Sequence, residues 1–156
     1  MRRIVAILIL TLFGFVCQAD SFLIFEENGK VGIKNQKGDV LVPAAFEALG
    51  WSDGSFSVIG DVTGYRLNNH WGILNLKKEF ITQATFESLT YAGAEYVIAR
   101  KKINPALTKA GCLNLRGEIK IPFQYDGISI HGLRAIVFNL NNASYHYGLT
   151  DLENRL

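Results

Sequence analysis

The chain has 156 residues, and its 16 Lys and Arg against 14 Asp and Glu leave a formal net charge of only +2 at pH 7. That balance gives no electrostatic footprint for nucleic acid or an anionic lipid surface. Its two cysteines, Cys17 and Cys112, are too few and too far apart in context for a disulfide framework, as the first segment makes clear.

The first nineteen residues, MRRIVAILILTLFGFVCQA, place Arg2 and Arg3 before an uncharged apolar run from Ile4 to Val16, with Ala19 standing before Asp20. This is the pattern of a secretory signal peptide over 1–19, and it predicts an exported, periplasmic or secreted, mature chain. The run is shorter than the roughly 20 residues that span a bilayer as a helix, so an uncleaved anchor is the weaker alternative. Cys17 follows Val16 rather than a small residue, which argues against lipid attachment. Cleavage after Ala19 leaves 137 residues, enough for one domain over 20–156. Without Arg2 and Arg3 the mature chain has 14 basic and 14 acidic residues, and Cys112 is its one cysteine. An internal disulfide is then impossible, and stability must come from burial.

From Lys30 onward a phrase recurs at a spacing of about forty residues: KVGIKNQKG, HWGILNLKK, AGCLNLRGE and HYGLTDLEN, with Gly32, Gly72, Gly111 and Gly148 at the same step. Alternation makes each phrase a strand. Val31, Ile33 and Asn35 share one face, as do Trp71, Ile73 and Asn75, then Ala110, Cys112 and Asn114, then Tyr147, Leu149 and Asp151. Cys112 thus fills the slot of Ile33, Ile73 and Leu149 and is expected to be a packed, inert thiol rather than a reactive one. The closing Asn or Asp is expected to bond the backbone of the coming turn. In that turn Gly38, Gly117 and Asn154 tolerate positive φ, and Lys78 stands at the same place.

After each turn a second strand is predicted in DVLVP, EFITQ and EIKIP, stopping at Pro43 and Pro122. Aromatic and acid pairs follow: Phe46 with Glu47, Phe86 with Glu87, Tyr125 with Asp126. A third strand is predicted in SFSVIG, EYVIAR and RAIVFN, each led by a glycine and a large apolar residue, Trp51, Tyr91 or Ile130. The expected fold is all-β: three full three-stranded repeats over 29–60, 69–100 and 109–139 with a partial fourth over 146–156. Such a unit cannot bury its apolar face alone. An open or loosely curved stack is favoured over a closed, propeller-like array in which SFLIF near the start pairs with the last strand.

The ordered set of aromatic-Gly, apolar residue, Asn or Asp, turn glycine, apolar-Pro, aromatic-acid and glycine-led third strand resembles the WG-repeat family. HWGILN carries its namesake dipeptide, whereas Val31, Ala110 and Tyr147 replace the Trp elsewhere. The resemblance implies a bacterial, often exported protein and little beyond a binding or scaffolding role; the chain is expected to be no enzyme and to take no cofactor.

Chemistry-bearing residues are weighed against this repetition. His70 and His146 share a strand-start position with Lys30 and Lys109, so a polar strand start is favoured over a metal site. His131, in the SIHGL turn, is a weak binding candidate because loops carry function. Glu47, Glu87 and Asp126 have the register of a ladder rather than of a carboxylate pair facing one cleft, so a small hydrolase is the least favoured reading. Trp51, Tyr65, Trp71, Tyr91, Tyr96, Tyr145 and Tyr147 could form a platform for sugar rings or a partner. Trp51 and Tyr91 are the surface candidates among them, with packing against the neighbouring unit as the favoured alternative. Two segments, Gly60 to His70 and Arg100 to Gly111, are read as irregular breaks. The second offers Arg100, Lys101 and Lys102 as a candidate interface or a solvated charge run. The expected function is a non-catalytic module that binds a protein partner, with an envelope glycan as the alternative ligand.

Overall fold

The computed structural model describes residues 21–153 and 155. The signal-peptide expectation and the turn expectation at Asn154 lie outside the described residues. The described chain is all-β and forms four small antiparallel sheets, none closed into a barrel. Sheet 1 holds β1 (Phe22–Glu27), β2 (Lys30–Asn35) and β3 (Val40–Phe46). Sheet 2 holds β4 (Ala48–Leu49), β5 (Val62–Leu67) and β6 (His70–Asn75). Sheet 3 holds β7 (Ser88–Gly93), β8 (Tyr96–Asn104), β9 (Leu107–Asn114) and β10 (Ile119–Tyr125). Sheet 4 holds β11 (Gly127–His131), β12 (Arg134–Asn141) and β13 (Ser144–Asp151).

The sheets are out of phase with the repeats drawn on the sequence. Every sheet takes the strand before the recurring glycine and the glycine strand; sheets 1 and 3 add the strand after the turn, and sheets 2, 3 and 4 begin with the strand that follows the preceding crossing. The chain then crosses to the next sheet at the acid of the aromatic-acid pair. There the backbone amides of Glu47, Glu87 and Asp126 donate to the carbonyls of Arg66, Arg100 and Phe138 at 3.0, 2.8 and 2.8 Å. A complete unit is therefore a four-stranded meander, seen whole in sheet 3.

Two segment expectations are corrected by this arrangement. SFSVIG is not a strand; only Ile59 makes a bridge, to Val62. The true partner of the glycine strand is β5, inside the segment read as an irregular break. Asn68 and Asn69, at φ of 51° and 65°, form the two-residue turn that joins β5 to β6, the geometry whose twist matches a hairpin. Arg100 to Gly111 is likewise a hairpin, β8 and β9 paired to Asn104 opposite Leu107 with a register shift after Lys102. Pro43 and Pro122 do not end strands either. They lie within β3 and β10 beside register shifts, where a bulge removes the need for the missing amide. In unit 2 the second strand is reduced to isolated bridges, Leu74 with Phe80 and Trp71 with Phe86, where Thr82 occupies the slot of Val42 and Ile121. Its hydroxyl accepts the Ile73 amide at 2.9 Å, so a side chain takes a donor from the ladder.

The strands' alternate faces make three inter-sheet cores. Ile33, Val42 and Phe46 of sheet 1 pack on Leu49, Tyr65 and Leu74 of sheet 2. Trp71, Ile73 and Phe86 pack on Leu89, Val97 and Leu113 of sheet 3. Cys112, Ile121 and Tyr125 pack on Ala135, Val137 and Leu152 at sheet 4. The stack is open: among the described residues β1 pairs only with β2, and β13 only with β12.

The turns obey one geometry. Asn75 Oδ1 accepts the amides of Lys77 and Glu79, each at 3.0 Å, and Asn114 Oδ1 accepts those of Arg116 and Glu118, each at 3.0 Å. Asp151 Oδ1 does the same for Glu153 and Arg155 at 2.9 Å. Lys78 sits at φ 71°, beside Gly38 at 92° and Gly117 at 81°. A Cβ in this region costs about 1–2 kcal/mol, partly offset by the greater freedom glycine has when unfolded. Lys78→Gly should therefore stabilise the chain by about 0.5–1 kcal/mol, read as a melting temperature raised by a few degrees in a thermal scan. An unchanged or lower midpoint would refute the shared strain.

Candidate functional site

The structure sorts the aromatic candidates by burial. Trp51, Tyr65 and Trp71 are 1%, 1% and 9% exposed, so the expectation of Trp51 at the surface is corrected: it is a core residue. Its ring stacks on Tyr91 with centroids 5.6 Å apart, and its Nε1 donates to Ser57 Oγ at 2.8 Å. Trp51 follows β4 and bridges the sheets, since Ser52 N donates to Leu89 O at 2.8 Å. Packing against the next unit, the favoured alternative, is what the loop does. Tyr91 remains half-buried on its outer side.

The three acids are engaged within the repeats, two of them with strand-start residues. Lys109 Nζ lies 2.7 Å from Asp126 Oδ1, and His70 Nε2 lies 3.6 Å from Glu87 Oε1. Glu47 Oε2 accepts the Asn69 amide at 3.0 Å, and Asp126 Oδ2 accepts the Leu140 amide at 2.7 Å. The Leu140 amide and Lys109 hold the Asp126 carboxyl below the usual carboxylate range, and the Asn69 amide does so for Glu47. Asp126 thus pins both its own strand start and the next hairpin, while Glu47 holds the next hairpin and Glu87 its own strand start, each beside a buried aromatic. Arg100 belongs to the same device, its Nη1 donating to the Asp126 carbonyl at 2.9 Å. Of the basic trio, Lys101 stands over the Phe123 ring at 5.9 Å and Lys102 is exposed on the hairpin. Among the described residues no three His, Cys, Asp or Glu side chains converge as a metal-binding group. An open groove of about 490 Å³ is lined by Ile59, Asp61, Ile81, Glu95, Leu115 and Arg116.

Cys112 is fully buried, and burial pushes its thiol up to about 12. The thiolate that alkylating reagents need is then scarce at neutral pH. The folded chain should resist iodoacetamide at pH 8, with Cys112 modified only after denaturant is added; rapid alkylation of the native chain by mass shift would contradict this packing.

What remains as a surface with the composition of a binding site is the outer face of sheet 4. The cross-strand pairs Ile136 with Leu149, Phe138 with Tyr147, and Leu140 with Tyr145 lie on this one side, because their positions alternate with the inward Ala135 and Val137. Tyr145, Tyr147 and Leu149 are 59%, 69% and 52% exposed. Phe138 meets Tyr145 at 5.5 Å and Tyr147 at 5.8 Å between centroids, and the two tyrosines stack at 6.1 Å. The register of β11 brings Ser129 and His131 to the same face, where Ser129 Oγ and His131 Nε2 are 2.9 Å apart. An apolar centre edged by polar groups is the anatomy of an interaction surface. Sequence reasoning had Tyr145, Tyr147 and His131 as candidates but gave no reason to join them. Phe138 and Leu140 were missed, although the exposure of RAIVFN follows from the absence of a further sheet over it among the described residues.

The family model described as WG containing repeat matches residues 111–130, the stretch from the glycine of β9 through the Asn114 turn and β10 into β11. The match supports the WG-repeat family for this unit. No curated protein matches the chain.

Proposed function

We propose that the WG repeat extends from the matched unit over the array from 29 to 156, and that the chain is an exported bacterial module, periplasmic or secreted, that binds a protein partner without catalysis. The extension is supported by shared geometry: the turns at Asn75, Asn114 and Asp151 make equivalent bonds, and the three crossing acids bond the following hairpins alike. Export is supported by the Arg2, Arg3 and apolar-run pattern of the first nineteen residues. Binding is carried by one observation, the exposed Phe138, Tyr145, Tyr147 and Leu149 face of sheet 4. The acids that a hydrolase would need are instead engaged in joining units.

The aromatic cluster also favours a second reading, an envelope glycan as ligand, since stacked tyrosines present apolar faces with polar tips. Affinity capture with crosslinking from the host's exported compartment, followed by mass spectrometry, separates the two. A stoichiometric protein crosslinked near Tyr147 is the expected result. Recovery of glycan without protein would move the assignment to glycan binding, with Tyr147 rather than Trp51 as the residue to replace.

A further inference from the structure

The two ends of the stack are chemically unlike. At Gly32 plus two, sheet 1 presents Lys34 on its outer face, where sheets 2, 3 and 4 bury Leu74, Leu113 and Thr150 at 1%, 2% and 2% exposure. Lys30, Lys34, Glu27 and Phe25 share that face by register, and Lys34 Nζ stands 6.0 Å over the Phe25 ring. This is the polar outer surface that a terminal repeat needs for solubility. Sheet 4 has no such substitution. Leu149 fills the slot in which Ile33, Ile73 and Cys112 are each 0% exposed, yet it is 52% exposed itself. Its neighbours Ile136, Phe138, Leu140, Tyr145 and Tyr147 bear no charge, so the face continues the series of inter-sheet cores with nothing over it among the described residues.

We propose that this face is an interface with a second copy of the chain, two sheet 4 faces meeting across a twofold axis in a tail-to-tail dimer. The inference rests on the interaction-module reading and names its partner. Head-to-tail stacking would set the Lys34 ammonium against Leu149 and Tyr147, which costs desolvation, and the carboxylate at the edge of that face, Asp151, is already held by Arg155 Nε at 2.6 Å. The twofold arrangement instead sets apolar on apolar. Its rim is self-complementary as a twofold contact must be, because Arg134 and Asp151 lie opposite one another in register at one end of the face. His131 lies opposite Arg134 at that same end, with Ser129 beside Ile136 along β11.

The test is sedimentation velocity on the full mature chain at roughly 100 μM, which populates any dimer with a Kd of about 10 μM or tighter. Wild type should sediment as a dimer, and Tyr147→Lys and Leu149→Lys as monomers with unchanged circular dichroism and, compared at concentrations below the dimer's Kd, an unchanged melting midpoint. Leu23→Lys, on the outer face of sheet 1, should remain dimeric. Monomeric wild type, dissociation by Leu23→Lys alone, or oligomers that grow beyond two with concentration would each overturn the tail-to-tail dimer. A monomeric wild type that captures a foreign protein, with capture lost in Tyr147→Lys, would overturn the dimer while leaving the module reading intact. Since both lysine variants replace exposed side chains, their folding is checked by the same spectra, and a Tyr147→Ser variant gives the same reading without an added charge.

Discussion

Gly72→Ala is expected to lower unfolding free energy by about 2–3 kcal/mol, the upper range for forcing one extra carbon into a packed core. A Cβ built on Gly72 would stand 2.6 Å from Tyr65 Cε1 and 2.8 Å from Cζ. That ring cannot retreat. It is 1% exposed, its hydroxyl donates to the Thr82 carbonyl at 3.1 Å, and Phe46 and Phe80 close on it at 5.2 and 5.0 Å. For a chain of this length the loss corresponds to a melting midpoint lowered by roughly 5–10 °C. The recurring glycine is thus explained by the aromatic lying on it across the hairpin rather than by a special φ. Phe25 covers Gly32 in the same way, and Phe123 covers Gly111 from the second strand. A thermal scan in which Gly72→Ala melts with wild type would show that the ring has room to move.

Trp51→Ala should be the more damaging change, with a loss of about 3–5 kcal/mol typical of removing a buried Trp. The indole touches both sheets of the central core, stacks on Tyr91 and satisfies Ser57. Domains of this size have only about 5–15 kcal/mol in all, so the variant is expected to be partly unfolded at 37 °C and to show a shifted midpoint in urea. This bears on function as well as stability. Trp51→Ala cannot serve as a clean test of ligand binding, because lost binding would report lost fold. A variant with wild-type denaturation and impaired binding would contradict the burial described above. Tyr147→Lys, on an exposed side chain, separates the two effects.

How much of this was legible in the sequence depends on which residues carried the information. The period, the glycine strands, the turn at Lys78 and the buried aromatics beside Glu47, Glu87 and Asp126 were readable because each recurs, so one unit corroborates another. The phase of the sheets was not readable, since a period has no beginning: cutting at Gly29 or at Glu47 yields the same sequence unit but different partners. β5 is hidden because the segment Gly60 to His70 reads as a break in the repeat, although its consecutive Asn68 and Asn69, which tolerate positive φ, are a hairpin signal. Trp51 was misplaced because a large apolar side chain beside a turn reads the same whether it faces water or the next sheet. The site on sheet 4 was hidden for a related reason. Tyr147 and Leu149 have core patterning, and only the stacking order shows that theirs is a face uncovered among the described residues.

The crossings at Glu47, Glu87 and Asp126 also govern how the chain can come apart. The chain passes directly there from the last residue paired in one sheet to the first strand of the next, β3 into β4 and β10 into β11, so each crossing is a covalent rivet and melting one sheet frays the leading strand of its neighbour. The units are therefore not beads that open singly but shingles nailed through their overlaps. Loss should propagate along the stack, and hydrogen exchange in the interior strands β6 and β9 should report one shared opening rather than two.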